Sequence, residues 1–180
     1  PFTGEYEAYQ FSLTELKEAG TLYEKVQKWC DKNAKNRVVI SLYGGSGSGK
    51  TTLATALQQY FLNDGTGCYL LSGDDYPHRI PKRNDEERMR VYKETGEDGL
   101  RGYLGTKKEI DFARINEVLA AFHEGKDTIT LRHLEREDGE ISSEETDFSG
   151  TSVLLLEWTH GGSDDLHGVD LSVFLESSPE

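Results

Sequence analysis

The sequence predicts an α/β fold of three layers, α/β/α, built around a mostly parallel sheet. Three observations lead there. Apolar runs at residues 37–43 and 152–157 have the composition of buried parallel strands, and shorter strand-like runs stand at 68–71 and 169–175. Segments with apolar residues at helical spacing alternate with them: Leu53, Leu57, Tyr60 and Phe61, then Ile110, Ile115, Val118, Leu119 and Phe122. Between the first strand and its helix stands Gly44-Gly45-Ser46-Gly47-Ser48-Gly49-Lys50-Thr51-Thr52, which fits Gly-x4-Gly-Lys-Ser/Thr, the phosphate-binding P-loop. Strand, glycine loop and helix is the order that motif requires.

The elements follow in chain order. Residues 1–11 are aromatic and polar without periodicity and read as an arm packed on the domain. Ser12-x-x-Glu15 and Thr21-x-x-Glu24 match the capping-box pattern and predict two helices, the first ended by Gly20. Leu22, Val26, Trp29 and Cys30 make one apolar stripe on the second. Residues 1–36 thus form an N-terminal helical extension, and 37–180 the P-loop domain. The second strand empties into Ser72-Gly73-Asp74-Asp75-Tyr76-Pro77-His78-Arg79, where sites in open α/β sheets gather. Residues 80–108 are charged, with a short helix at 85–93 cut off by Gly96, Gly99, Gly102 and Gly105. The charged run at 82–93 reads as a solvated face. Residues 110–122 predict a helix ending at Gly125, residues 128–133 a strand, and Asp138-Gly139 a hairpin turn back through Ile141.

Composition excludes several classes. Twenty Lys and Arg stand against thirty-three Asp and Glu, a net charge of -13, which disfavours a nucleic-acid partner because such binding relies on neutralising phosphates. No apolar run reaches membrane-spanning length and no signal-peptide pattern is present, so a cytoplasmic location is expected. Cys30 and Cys68 lack metal spacing and read as structural thiols of a reducing compartment. The start at Pro1 and the lack of Lys or Arg after Arg136 suggest a fragment of a longer protein. Oligomeric state is left open, a homodimer included.

The residues themselves point to phosphoryl transfer. In the loop, Gly45, Ser46, Gly47, Ser48, Gly49, Lys50, Thr51 and Thr52 are expected to cradle the triphosphate of ATP with backbone N–H groups. Lys50 adds charge for the β- and γ-phosphates, and the Thr51 hydroxyl is a Mg²⁺ ligand. Glu157 closes a buried strand, the position of an acidic Walker B residue, and is the second expected Mg²⁺ contact. Asp74 is the candidate base for an acceptor hydroxyl. Asp75, Tyr76, His78 and Arg79 from the same segment, with Arg132, His133 and His160, are candidates to hold the acceptor, a small molecule.

These three stretches, Gly-Gly-Ser-Gly-Ser-Gly-Lys-Thr-Thr, Ser-Gly-Asp-Asp-Tyr-Pro-His-Arg and Leu-Leu-Leu-Glu-Trp-Thr-His-Gly, in this order resemble the uridine kinase, phosphoribulokinase and pantothenate kinase superfamily. The resemblance runs from Arg37 onward. It implies an ATP- and Mg²⁺-dependent kinase acting on a hydroxyl of a nucleoside, sugar phosphate or pantothenate-like acid. It makes Asp74 the general base, Glu157 a metal-holding residue and Asp111 the carboxylate preceding a helix, with Arg132 and His133 in the substrate-contacting region. Trp158 departs from the pattern, since the family usually has Gly there, and the lid that normally follows the last strand is missing. A GTPase-type switch predicts an Asp-x-x-Gly element closing the buried strand, which Glu157-Trp158-Thr159-His160 does not fit, and an Asn-Lys-x-Asp base reader, of which the sequence has no instance. A nucleotide-sensing domain without transfer activity is the other rival.

Overall fold

The computed structural model describes residues 13–135 and 139–176. Helix α1 (Leu13–Asn33) precedes strand β1 (Val38–Gly44), helix α2 (Lys50–Asn63) and strand β2 (Gly67–Ser72). Helices α3 (Pro81–Arg101) and α4 (Phe112–His123) follow, then strands β3 (Thr128–Leu134), β4 (Ile141–Asp147), β5 (Thr151–Glu157) and β6 (Leu171–Leu175).

Four strands form one parallel sheet in the order β2-β5-β1-β6, and β3 and β4 form an antiparallel hairpin of their own. Strand periodicity explains how the sheet is covered on both faces. Val38, Ile40 and Leu42 of β1, with Val153 and Leu155 of β5, join Val26 of α1 and Leu57 and Phe61 of α2 in one core. The alternate residues, Val39, Leu154 and Leu156, turn to the opposite face and meet Phe112, Ile115, Leu119 and Phe122 of α4. The result is the three-layer arrangement that the apolar runs predict. Arg37, just before β1, anchors the α4 side: its guanidinium donates to the carbonyls of Phe122, Lys126 and Phe148 and lies over the Phe122 ring at 4.9 Å.

Three expectations need correction. One continuous helix replaces the two expected near the N-terminus, and Gly20 lies inside it. A Cβ there would come within 2.9 Å of the Tyr60 hydroxyl, so this glycine answers to close packing of α1 on α2 rather than to a helix end. Tyr23 stacks on Tyr60 in the same seam at 5.3 Å. The Ser12 capping position lies outside the described residues, as does Asp138 of the hairpin turn. Second, the helix expected at 85–93 runs from Pro81 to Arg101, and of the glycines only Gly96 breaks its dihedrals, with φ 72°. Pro81 at its first turn pre-sets the helical φ and so explains the early start. Third, the 82–93 run is not wholly a solvated face, because Asn84 is buried. No helix among the described residues is long and apolar enough to cross a membrane.

Candidate active site

The sheet is parallel, so β2, β5 and β1 all deliver their carboxyl ends to the same edge. At the end of β1 the chain must turn sharply into α2. Gly44 is required there because a Cβ would sit 2.4 Å from the Leu175 carbonyl oxygen. Gly47 and Gly49 adopt left-handed φ values of 78° and 79°, with open space where side chains would project. Lys50 is buried and its Nζ donates to the Gly45 carbonyl at 2.7 Å. That bond folds the lysine over the loop and leaves the turn as a concavity of backbone donors. The Ser48 hydroxyl is buried without a protein partner among the described residues. An open cradle, a cation folded over it and an orphaned hydroxyl fit a polyphosphate. Thr51, exposed in the first turn of α2, could help hold its Mg²⁺. Among the described residues no group of three or more His, Cys, Asp or Glu could hold a metal ion. A cation here would therefore depend on phosphate oxygens beside one hydroxyl and one carboxylate, as Mg²⁺ sites in nucleotide enzymes do.

The carboxylate that could fill this place is Glu157. It ends β5, in register with Ser72 on one side and Leu42 on the other. Ser72 then caps a single 3-10 turn, Gly73–Asp75, its hydroxyl accepting from the Asp74 N–H at 3.4 Å. Asp74 is exposed at the mouth of this turn. Beside it opens a cavity of about 220 Å³. Tyr76, Pro77, Ile110, Leu134 and Trp158 supply apolar wall, while Asp74, Arg79, Asn84, Arg88, Glu109 and His160 supply polar groups. Trp158 packs directly on Gly73 and against Phe112 and His160, with ring centroids at 5.4 and 5.5 Å. The indole thereby fills the space that a glycine at this position would leave.

The expected acceptor-holding residues divide into two groups. Asp74, Tyr76, Arg79 and His160 line the cavity. Asp75, His78, Asp111, Arg132 and His133 do not, and the structure shows them tying the 72–80 segment to its neighbours. Asp75 faces β3, accepting from the Leu134 N–H at 3.4 Å with His133 at 3.8 Å. Asp111 caps α4 through the Arg114 N–H and pairs with Arg132 at 3.4 Å. Arg132 also donates to the Pro77 carbonyl, and His78 bonds the Lys107 carbonyl at 2.9 Å.

Sequence reasoning missed Asn84, Arg88 and Glu109. Glu109 is 2% exposed, accepts from Arg88 Nε at 2.5 Å and Asn84 Nδ2 at 3.2 Å, and takes the Gly105 N–H at 2.7 Å. Burial pushes its carboxyl up, but the Gly105 N–H and the Arg88 guanidinium outweigh burial and hold it below the usual range. Asn84 and Arg88 lie four apart on one helical face, a spacing visible in the sequence but hidden among charges. Nothing in the sequence marks Glu109. Elsewhere in the cavity, burial lowers the His160 pKa despite the opposing fields of Glu109 and Asp74. Burial likewise raises the Tyr76 phenol to about 12.

The model of the family described as "Phosphoribulokinase / Uridine kinase family" matches residues 39–180. A curated relative, the bifunctional alpha-galactosidase/sucrose kinase AgaSK of Mediterraneibacter gnavus, is 91% identical over 179 residues; the match covers 99% of this chain and 19% of that protein. The chain therefore spans about a fifth of that relative's length. Among solved structures, one titled as a possible uridine kinase from Bacillus stearothermophilus aligns with a TM-score of 0.65 at 20% identity, covering 88% of this chain and 83% of that one. Phosphoribulokinase from Rhodobacter spheroides aligns at 0.59 and 17% identity, covering 77% and 50%.

Proposed function

The chain belongs to the phosphoribulokinase/uridine kinase family, and from that premise we propose that it transfers the γ-phosphoryl group of ATP to a hydroxyl of a small saccharide. One observation carries the kinase reading. The strand order β2-β5-β1 places Glu157 between the P-loop at the end of β1 and Asp74 beyond the end of β2, all on one edge. Candidate cradle, candidate metal-holding carboxylate and candidate base thus lie along one edge, which supports a phosphoryl-transfer reading.

Residues 45–52 bind the triphosphate, and Lys50 neutralises charge on its outer phosphates. Thr51 and Glu157 would hold Mg²⁺, which would supply further neutralisation of the phosphate charge. The Asp74 carboxylate takes the proton of the acceptor hydroxyl as that oxygen bonds to the γ-phosphorus. The bond from phosphorus to the bridging oxygen breaks, and ADP leaves with that electron pair. Tyr76, Arg79 and His160 line the acceptor side. For the acceptor, support comes from the 91% identical relative, whose name includes sucrose kinase.

The test is transfer of labelled γ-phosphoryl from ATP to sucrose, beside nucleosides, sugar phosphates, glycerate and pantothenate. Phosphorylated sucrose supports the reading. Preference for another acceptor overturns the saccharide assignment, and no transfer to any of them overturns the kinase assignment.

A further inference from the structure

We infer that Asn84, Arg88 and Glu109 form the acceptor-reading wall of the cavity, and that Glu109 masks Arg88 so that only uncharged polyhydroxyl acceptors are admitted. The inference rests on the kinase reading for the location of the acceptor and goes beyond it in naming what selects it.

The argument begins with orientation. Asn84 is 7% exposed and its Nδ2 donates to Glu109 Oε1, so its Oδ1 must point the other way. That oxygen is buried and has no partner among the described residues. Asn84 lines the cavity, and a ligand hydroxyl that reaches this oxygen can donate to it, which an ionised phosphate or carboxylate cannot. Charge points the same way. The cavity is lined by three carboxylates, Asp74, Asp85 and Glu109, against two guanidiniums, Arg79 and Arg88. Neither guanidinium is free: Arg88 is held by Glu109 at 2.5 Å, and Arg79 donates to the Tyr103 hydroxyl and the Lys108 carbonyl near Glu87. His160, its pKa lowered, adds no cation at neutral pH. A site that bound an anionic acceptor would aim unneutralised cations at it. The apolar walls from Trp158, Ile110 and Leu134 suit the faces of a sugar ring.

Titration calorimetry on the intact protein, holding a non-hydrolysable ATP analogue, tests this with sucrose and sucrose monosulfates. Neutral sucrose is expected to bind at least about tenfold more tightly than the sulfates. Asn84→Ala should weaken sucrose binding by about tenfold while ATP-analogue affinity changes less than twofold, a split that general unfolding cannot produce. Glu109→Gln, nearly isosteric, should unmask Arg88 and narrow the gap between sucrose and its sulfates, a gain that damage to the fold would not give. Equal binding of neutral and anionic sugars by the natural protein overturns the inference, whether or not either variant folds. So does an unaffected Asn84→Ala. Charge-selective sugar binding without phosphoryl transfer would sink the kinase reading and leave the inference standing; transfer that ignores charge and Asn84 would do the reverse.

Discussion

Replacing Gly73 by Ala probes how the turn that carries Asp74 is built. A Cβ at this position would lie 2.1 Å from Cγ, 2.2 Å from Cδ2 and 2.6 Å from Cβ of Trp158. Ordinary contact begins at 3.4 Å, so the turn and the indole must separate by more than 1 Å. The indole is 2% exposed and backed by Phe112, which gives it little room to retreat. Overpacking of this kind costs about 1–3 kcal/mol, or roughly 3–10 °C in Tm for a domain of this size. The larger effect should be kinetic. Asp74 is the next residue, and a displacement of about 1 Å at a reacting group lowers the rate on the order of 10²-fold. Scanning fluorimetry, steady-state kcat and an ATP titration together read the outcome. Tm and kcat should both fall, with ATP affinity nearly unchanged because the cradle is built on β1 and α2. Adding Trp158→Gly removes the three nearest atoms, so Gly73→Ala should cost less stability in that background than in the natural protein. Natural kcat and Tm in Gly73→Ala would refute the account of this turn.

Other outcomes follow from the same geometry. Lys50→Ala should weaken ATP binding at least about tenfold, measured by titration, since a desolvated charge-assisted contact to phosphate is lost; unchanged affinity would remove Lys50 from the cradle. Because burial lowers the pKa of His160 below the ordinary value of about 6.5, the unfolded chain takes up a proton before the folded one does. This residue's contribution to stability is therefore complete above about pH 6.5 and declines as pH falls toward its folded pKa. Denaturant midpoints between pH 7.5 and 5.5 should show a shallower decline in His160→Gln than in the natural protein, and equal slopes would count against the half-buried, neutral histidine. Arg37→Met should destabilise the domain by about 2–4 kcal/mol in urea titration, because it orphans the Phe122, Lys126 and Phe148 carbonyls at once. A loss below about 0.5 kcal/mol would show that water satisfies them.

Much of the fold was legible because its signals are local. The runs at 37–43 and 152–157 read as buried strands because a parallel strand covered on both faces needs apolar residues at every position, and both fall in the sheet. The P-loop was legible for a related reason, since Gly47 and Gly49 report a backbone constraint, a left-handed φ, rather than a contact. Gly20 misled because a glycine also serves close approach between elements, which the local sequence does not distinguish from a helix end. Of the 96–105 glycines, Gly96 does interrupt the helical dihedrals as its residue type suggests, while Gly99 stays within the helix. At the candidate site, Asp74 and Glu157 could be found because each ends a recognisable strand. Asn84, Arg88 and Glu109 could not, since their meeting depends on α3 folding back over the 105–110 segment, a contact between residues some twenty-five positions apart. Arg132 and His133 were expected at the acceptor because of residue type and location. Their side chains instead meet Asp111 and Asp75, partners whose proximity only tertiary packing reveals.

The central claim is that Asp74 serves as the base for a hydroxyl acceptor beside a P-loop that binds ATP. Measuring phosphoryl transfer to sucrose and ATP-analogue affinity for Asp74→Asn and the natural protein tests it most directly. The substitution keeps the size of the side chain and removes only its capacity to take the proton. Transfer is predicted to fall at least about 10²-fold, the scale of general-base catalysis, while nucleotide affinity stays within about twofold. Transfer at the natural rate by Asp74→Asn would contradict the account.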